Sequence, residues 1–418
     1  MMTPADSLAN HRTEAESAAG EPERGLRPYS QVLAAFLCGA FAFLDLYCTQ
    51  PLLPLLSRLF RASETRVSLT ISASTLGVAF SAVLLAIYAE RVNRKKMIVA
   101  SMTALALCTV LTATATTLTQ LAAWRLLQGL VTPGIFIITI AYITEEWPAH
   151  LVPRVMSFYV AGTVFGGFVG RISGGQLAEH LGWRSVFVVL GLVGFVGAAA
   201  TMRLLRPAKA RLSRPASDSR LSPIVNNLRN PRLLATFGIG FCMLFTLVSV
   251  FSYITFYLAA PPFRLTTSDL SWLFAVYLFG LAATLLAGTV LMRIGLRSGM
   301  ILSVALCLSG VALTLVPSVV AVGFGLAIAS SGVFISQTCA NSFLRDASSS
   351  DTRVSAAGMY ICSYYIGGTV GGVLPGILWK FAGWYGCVAV TSGLLVVAGF
   401  LAFFGWRSRQ QVLDPVPV

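Results

Sequence analysis

Long apolar stretches separated by short polar connections make up most of this chain. Each stretch is close to the ~20 residues that a helix needs to cross the hydrocarbon core of a bilayer. Lipid offers no partners to backbone polar groups, so we expect every stretch to be helical. The pattern predicts twelve spans, at about residues 32–56, 67–89, 97–117, 119–143, 154–177, 184–204, 233–260, 269–292, 298–318, 320–343, 354–379 and 384–405.

Two glycine-rich stretches repeat each other without a gap. Residues 157–187 read SFYVAGTVFGGFVGRISGGQLAEHLGWRSVF, and residues 358–388 read GMYICSYYIGGTVGGVLPGILWKFAGWYGCV, at an offset of 201 positions. Glycines three or four residues apart let membrane helices approach closely. The repeat therefore predicts two copies of one six-helix bundle. The glycines that we expect to pack helices are Gly162, Gly166, Gly167, Gly170, Gly367, Gly368 and Gly371.

Composition supports the same fold class, an all-α membrane protein. The 418 residues are 56% hydrophobic and 11% charged, with a mean hydropathy of +0.78, whereas soluble domains carry about 25% charged residues. The eight cysteines lie in apolar stretches without metal or disulfide spacing, and the three histidines lie outside the central parts of the spans. We therefore expect no metal, no cofactor and no histidine proton relay. The net charge of +14 belongs to residues that flank spans, so we expect no nucleic-acid partner.

Basic residues are distributed unevenly between the two sides of the predicted membrane. Twenty-two Lys and Arg lie on the side that carries both termini, and six lie on the opposite side. This bias places both termini in the cytoplasm. The predicted domains are a disordered tail (1–30), a six-helix half (31–204), a basic cytoplasmic linker (205–232), a second six-helix half (233–406) and a cytoplasmic tail (407–418).

Three ionisable side chains lie well within spans: Asp45, Arg125 and Arg171. A charge near the centre of a bilayer costs ~2.5–3.5 kcal/mol on insertion scales. By a rise of about 1.5 Å per residue, Asp45 is nearest the midplane. All three lie in the first half, and Gly372 takes the place of Arg171 in the repeat. Two explanations stay open: a role in function, or a fixed ion pair together with an arginine bonded to backbone carbonyls.

Several motifs resemble those of the major facilitator superfamily. Residues 86–96, after the second span, resemble its G-x-L-a-D-r-x-G-r-k loop, with Glu90 in place of the aspartate and with Ala86 and Asn93 in place of the two glycines. Residues 125–129 (RLLQG) are similar to the R-x-x-Q-G motif of proton-linked members. Residues 162–171 are similar to the antiporter motif G-x-x-x-G-P-x-x-G-G, with Gly167 in place of the proline and Arg171 in place of the last glycine. Residues 50–54 (QPLLP) look like those of a bacterial efflux-permease subgroup.

This resemblance implies a twelve-helix transporter, made of two six-helix halves, that works by alternating access around a midplane cavity. It further implies proton-coupled export of a small organic molecule. Proton-coupled uptake of an organic anion is the alternative, and buried charges disfavour a non-transporting receptor. No nucleophile–base pair in the spans suggests an enzyme. The expected partners are a small-molecule substrate, protons and the bilayer, for a monomer in the bacterial inner membrane.

Roles can be assigned to individual residues on this hypothesis. Asp45 would carry the proton, because a neighbouring arginine favours its ionised form and desolvation favours its neutral form. The resemblance assigns Arg125 a proton-linked role, and Arg171 would suit an anionic or neutral polar substrate. Further candidates for the cavity lining, each of which is otherwise a packing residue, are Tyr47, Gln50, Gln128, Ser249, Tyr253, Tyr257, Gln337, Asn341, Tyr360 and Tyr364. Candidates for a cytoplasmic gate, otherwise solvated charges, are Glu90, Arg91, Arg94, Glu145 and Glu146.

Overall fold

The structure is a computed structural model that describes residues 27–88, 93–148, 150–206, 222–349 and 352–406. In these ranges all regular elements are helical. The first half contains α1 (Arg27–Leu44), α2 (Leu53–Phe60), α3 (Glu64–Tyr88), α4 (Arg94–Thr112), α5 (Leu118–Val131), α6 (Pro133–Glu146), α7 (Val152–Leu181) and α8 (Trp183–Leu204). The connection and the second half contain α9 (Ser222–Leu228), α10 (Pro231–Ala259), α11 (Thr267–Trp272), a 3₁₀ turn (Leu273–Val276), α12 (Tyr277–Ile294), α13 (Leu296–Leu313), α14 (Val319–Ala347) and α15 (Arg353–Gly405).

Counted by length and hydropathy, nine helices in the described ranges can cross a membrane. Two further apolar helices, Tyr29–Leu44 and Thr267–Ala283, are shorter than that limit. The longest helix, α15, contains a break at Gly383, where φ is 53° and ψ is −136°. The helices account for all of the predicted apolar stretches, although three of these stretches are interrupted.

The first predicted span is one of the interrupted ones. The prediction of one continuous helix over 32–56 was wrong, because α1 ends at Leu44 and α2 begins only at Leu53. Residues 45–52 instead form turns, in which the Gln50 N–H donates to the Tyr47 carbonyl at 3.0 Å. Pro51 explains the break, because proline donates no backbone hydrogen bond and its ring clashes with the carbonyl four residues earlier. We call residues 45–52 the broken segment.

Two other predicted spans are also divided. The fourth is split between α5 and α6, where Pro133 occupies the first position of α6. The eighth begins as α11, passes through the 3₁₀ turn and continues as α12. Irregular backbone at membrane depth is tolerated only where protein or a water-filled cavity surrounds it.

The repeated Gly-Trp pairs mark equivalent turns between spans. Gly182 lies between α7 and α8 with φ 84°, and Gly383 breaks α15 with φ 53°. Such φ values favour glycine. The following residues, Trp183 and Trp384, are both buried. The pair therefore reverses the chain and anchors the start of the next helix.

Two pairs of the repeated glycines, Gly166 with Gly367 and Gly170 with Gly371, lie against equivalent backbone carbonyls in the two halves. A Cβ on Gly166 would collide with the Ala40 carbonyl of α1, and one on Gly367 would collide with the Phe241 carbonyl of α10. Ala40 and Phe241 are themselves separated by the repeat offset of 201 positions. The contact between the fifth and first spans is thus reproduced between the eleventh and seventh, as two copies of one bundle require.

The two halves meet mainly at one end of the bundle. We call the end where residues 205–232 join the halves the linker end, and the opposite end the far end. Towards the far end, the Gln176 amide donates to the Ser268 carbonyl at 3.4 Å. The Thr267 N–H donates to the Glu179 carboxylate at 3.2 Å. Nearer the midplane, the hydroxyl of Thr75 on α3 lies 3.0 Å from that of Thr369 on α15.

We expect Gly166→Leu and Gly367→Leu to destabilise the protein, each by ~1–3 kcal/mol or more, because each added side chain overpacks a helix against a backbone carbonyl. Thermal unfolding of the purified variants in detergent measures the effect. Gly393→Leu is the matched control, since a Cβ on this helical glycine meets nothing within 4 Å. If both test variants melt at the wild-type temperature, the close helix contacts do not depend on these glycines.

Candidate functional site

Arg125 on α5 holds the broken segment from the side of the first half. Its Nη1 donates to the Asp45 carbonyl at 2.8 Å, and its Nη2 donates to the Leu46 carbonyl and, at 3.4 Å, to the Ser74 hydroxyl. The Arg125 side chain is fully buried. The turns that follow α1 leave backbone carbonyls outside any helix, and Arg125 supplies donors to two of them. Its position thus has a structural reason that is independent of transport.

The Asp45 carboxylate does not form an ion pair with Arg125. Its Oδ2 accepts a hydrogen bond from the Thr109 hydroxyl at 3.1 Å, while its Oδ1 has no hydrogen-bond partner among the described residues. The side chain is 3% exposed. The structural explanation predicted an ion pair and an arginine that is bonded to backbone carbonyls. Among the described residues, Arg125 is bonded to backbone carbonyls, and Asp45 forms no ion pair. Arg125 is close to the acid, but its hydrogen bonds go to backbone carbonyls and to the neutral side chains of Ser74 and Gln128.

Gln128 closes a polar network around this acid. Its Oε1 accepts from Arg125 Nη1 at 2.6 Å, and its Nε2 donates to the hydroxyls of Thr109 and Thr112 at 3.0 and 3.1 Å. The network therefore joins the broken segment to α4 and α5. Sequence reasoning singled out Gln128 but missed both threonines. Their spacing of three residues, which places them on one face of a helix, is the signal that could have found them.

Arg171 on α7 contacts the end of the broken segment, whereas Arg125 contacts its beginning. Its Nε donates to the Gln50 side-chain oxygen at 2.8 Å, and its Nη1 donates to the Gly167 carbonyl at 2.6 Å. The Cζ atom lies 4.7 Å from the ring centres of Tyr47 and Tyr277. Gln50 also donates to the Ser252 hydroxyl at 3.4 Å, so this cluster spans the two halves.

Sequence reasoning did not predict the aromatic partners that the second half gives to Arg171. Phe274 lies in the 3₁₀ turn, with its ring centre 5.3 Å from Arg171 Cζ, and Tyr277 begins α12. Both rings are buried. The eighth span reads as apolar in this region, so its pattern does not show which side faces the other half. The interrupted helix is what presents these two residues to Arg171.

The remaining lining candidates lie outside these two clusters. The Tyr253 hydroxyl donates to the Gly372 carbonyl at 2.7 Å, which links α10 to α15. Tyr360 is buried, and its ring centre lies 5.9 Å from that of Tyr364. Gln337 is half-buried and Asn341 is exposed on α14. Among the described residues, no hydrogen bond joins any of these five side chains to Asp45, Arg125 or Arg171. Ser249 bonds the Thr391 hydroxyl, and Tyr257 stacks on Trp384.

Two of the proposed gate residues form an ion pair near the linker end. Arg94, at the start of α4, places Nη2 3.0 Å from Glu145 Oε1 and Nε 3.2 Å from Oε2, near the end of α6. Both residues belong to the first half. Glu146 follows Glu145 and is half-buried. Glu90 and Arg91 lie outside the described residues. The ion pair links two neighbouring helices, α4 and α6, of the first half.

We expect Arg125→Met to destabilise the protein by ~1–3 kcal/mol or more, because the buried carbonyls of Asp45 and Leu46 lose their shortest hydrogen bonds. They keep only long ones, from the Cys48 N–H at 3.4 Å and the Ser74 hydroxyl at 3.5 Å. Thermal unfolding measures the loss. Arg184→Met is the matched control: Arg184 also donates to two carbonyls, those of Ala113 and Ala115, at 3.1 Å each, but is exposed. Water can replace an exposed donor, so we expect this change to cost about 0.5 kcal/mol or less. Equal losses in the two variants would contradict the structural role of Arg125.

Comparisons with known proteins agree with this architecture. A family model described as Major Facilitator Superfamily matches residues 35–265. The MFS-type transporter YybF of Bacillus subtilis is 27% identical over 387 residues, which cover 92% of this chain and 96% of that protein. The inner membrane transport protein YnfM of Escherichia coli is 28% identical over 380 residues, covering 90% of each chain. A bacterial homologue of the human lysosomal transporter Spinster, in an inward-facing and unoccupied conformation, superposes with a TM-score of 0.75 at 18% identity, covering 92% of this chain and 98% of that one.

Proposed function

We propose, from the premise that this chain belongs to the Major Facilitator Superfamily, that it exports a small organic molecule in exchange for protons. The chain is a multi-pass membrane transporter of that family. Export, proton antiport and the roles of individual residues are the proposal. No enzymatic role is part of it.

The observation that carries the proposal is the environment of the Asp45 carboxylate. It is buried beside the broken segment, and its Oδ1 has no hydrogen-bond partner among the described residues. A buried carboxylate with so few donors favours protonation, whereas the positive charge of Arg125 favours ionisation. Such opposed influences let a modest change in hydration or distance move the proton on or off. Ionisable residues inside membrane spans commonly mark proton pathways.

The contacts between the halves are compatible with export. They lie from the midplane to the far end, at Thr75, Gln176 and Glu179. If both termini are cytoplasmic, as the basic residues predict, the far end faces the outside and is closed in this conformation. A substrate for export would then enter from the cytoplasm. On this proposal the protein lies in the bacterial inner membrane, and it works as a monomer.

Uptake of an organic anion in symport with protons remains a second candidate. The observation that favours its anionic substrate is Arg171, a buried cation that makes no ion pair with a carboxylate among the described residues. A buried positive charge suits an anion in either direction of transport. The direction of substrate movement under an imposed pH gradient separates the two candidates.

We expect Asp45→Asn to abolish uphill transport driven by a pH gradient, because the amide keeps the size of the side chain and removes its titration. Substrate exchange without a gradient should continue. The measurement is uphill transport in proteoliposomes with the membrane potential clamped, after a substrate screen on the wild-type protein. Thr246→Asn serves as the matched control, because Thr246 lies 201 positions after Asp45. Uphill transport by Asp45→Asn at the wild-type rate would mean that Asp45 is structural.

We also expect removal of the Arg125 charge to shift the pH dependence of transport upward. Loss of a nearby positive charge favours the protonated acid, so Asp45 would release its proton only at higher pH. For the folded fraction of Arg125→Met, the expected shift is about one pH unit or more. Arg125→Lys keeps the charge and should stay near the wild-type profile. The measurement is transport rate against pH, and identical profiles for Lys and Met would contradict electrostatic coupling between the two residues.

A further inference from the structure

We infer that Arg171 and Tyr277 together form a binding site for the carboxylate group of an organic anion, placed between the two halves of the transporter. This inference rests on the proposed transport function and names the chemical class of its substrate. It is carried by the unused hydrogen-bond donors of the two residues and by the absence of a protein carboxylate beside them in the described part of the chain.

Arg171 carries a buried positive charge without a protein anion beside it in the part of the chain that the structure describes. The side chain is 4% exposed, and no ion pair joins it to an acid among the described residues. Its neutral partners, the Gln50 oxygen and the Gly167 carbonyl, satisfy two donors but do not cancel the charge. A buried guanidinium without an anion is costly in a membrane protein. A bound anion would offset that cost.

The guanidinium of Arg171 uses only some of its nitrogens as donors. Nε and Nη1 are engaged, whereas Nη2 makes no hydrogen bond in the described part of the chain. The rings of Tyr47, Phe274 and Tyr277 lie around the guanidinium, with their centres 4.7 to 5.3 Å from Cζ. A guanidinium binds a carboxylate in its own plane, through its edge. The Nη2 edge is therefore where a carboxylate would bind.

The hydroxyl of Tyr277 is buried and lies against the Arg171 guanidinium. It donates its hydrogen to no acceptor among the described residues. Buried hydroxyls normally donate to a partner, so one that does not calls for an explanation. Because the ring of Tyr277 lies beside Arg171, its hydroxyl is within reach of an anion on the same guanidinium. A carboxylate has two oxygens and could accept from both residues.

The surroundings limit the rest of the substrate. Phe251 stacks on Tyr277 with ring centres 4.6 Å apart, and Phe274 stacks on it at 6.1 Å. These aromatic walls suit an apolar or aromatic body attached to the carboxylate. A cationic substrate would meet the charge of Arg171 instead. The substrate class is therefore an organic monocarboxylate, and the site is closed at the far end in this conformation.

The test measures equilibrium binding to the purified full chain in detergent, by calorimetry and thermal shift, without any gradient. The probes are acetate, benzoate, phenylacetate and indole-3-acetate, with benzamide as the neutral analogue of benzoate. We expect at least one aromatic carboxylate to bind and benzamide to bind at least tenfold more weakly. If none of the four carboxylates binds, or if benzamide binds as tightly as benzoate, the inference is wrong.

The decisive variant is Tyr277→Phe, which removes the hydroxyl and keeps the ring beside Arg171. A hydrogen bond to a charged group accounts for about 10- to 100-fold in affinity, so we expect the Kd for the carboxylate to rise by that factor. The melting temperature without ligand should stay the same or rise, since the buried hydroxyl that is lost has no acceptor in the described part of the chain. A purely structural Tyr277 would leave the Kd unchanged, and that result would overturn its assignment.

Three further variants complete the design. Arg171→Gln should abolish binding of the carboxylate. Tyr159→Phe is the control for Tyr277→Phe, because Tyr159 is equally buried but lies twelve residues before Arg171 on α7, roughly 18 Å along the helix. Asp45→Asn should still bind the carboxylate, since no hydrogen bond joins Asp45 to Arg171 among the described residues. If Asp45→Asn binds the carboxylate and also keeps uphill transport, only the role of Asp45 in proton coupling is refuted. If the wild type binds no carboxylate, only the carboxylate site is refuted.

Discussion

The hydrogen bonds from Arg125 to the carbonyls of Asp45 and Leu46 make the rest of the first half possible. A helix cannot end inside a membrane unless its last carbonyls find donors. Pro51 makes an unbroken helix unfavourable, and Arg125 supplies donors at the point where α1 stops. The broken segment that results turns its side chains in directions that a straight helix would not allow. Asp45 faces the threonine and glutamine network, while Tyr47 and Gln50 reach Arg171.

The repeat provides an internal control for this argument. Span seven is the copy of span one, because the glycine contacts of the two spans align at the same offset. Yet α10 runs unbroken from Pro231 to Ala259. Ser252 stands at the position of Pro51, and Thr246, at the position of Asp45, donates to the carbonyl of Cys242 within its own helix. Where the proline and the acid are missing, the helix continues. The asymmetry of the buried charges is therefore accompanied by an asymmetry of the backbone.

The sequence predicted the parts of the fold that depend on composition and spacing. Apolar length predicted the helices, and the ungapped repeat predicted glycines that pack helices. Of these, Gly162, Gly166, Gly170, Gly367 and Gly371 lie against backbone carbonyls, whereas Gly167 and Gly368 lie against side chains. The sequence did not predict the broken segment, since the apolar pattern continues through residues 45–52. Depths counted along a straight helix placed Asp45 nearest the midplane, but they did not predict that Arg125 would contact the Asp45 carbonyl. The partners of Arg171 depend on how the two halves meet, and the pattern of apolar residues does not specify that packing.

Asn93 is a smaller example of a residue whose role the sequence did not predict. It stands where the family loop has a glycine, and it caps α4 by accepting a hydrogen bond from the Lys96 N–H at 3.1 Å.

The broken segment also offers a physical route between the proton and the substrate. Arg125 and the Asp45 carboxylate act on its beginning, and Arg171 acts on its end through Gln50. Gln50 in turn contacts Ser252 of the second half, and Tyr277 covers Arg171 from the same half. A ligand can shift a conformational equilibrium only through contacts that differ between the two states. An anion on Arg171 would alter the contacts that hold the halves together at the far end, and a proton on Asp45 would alter the network that fixes the same eight residues. Coupling between them would then require only that this segment have two arrangements, each favoured by one of the two ligands.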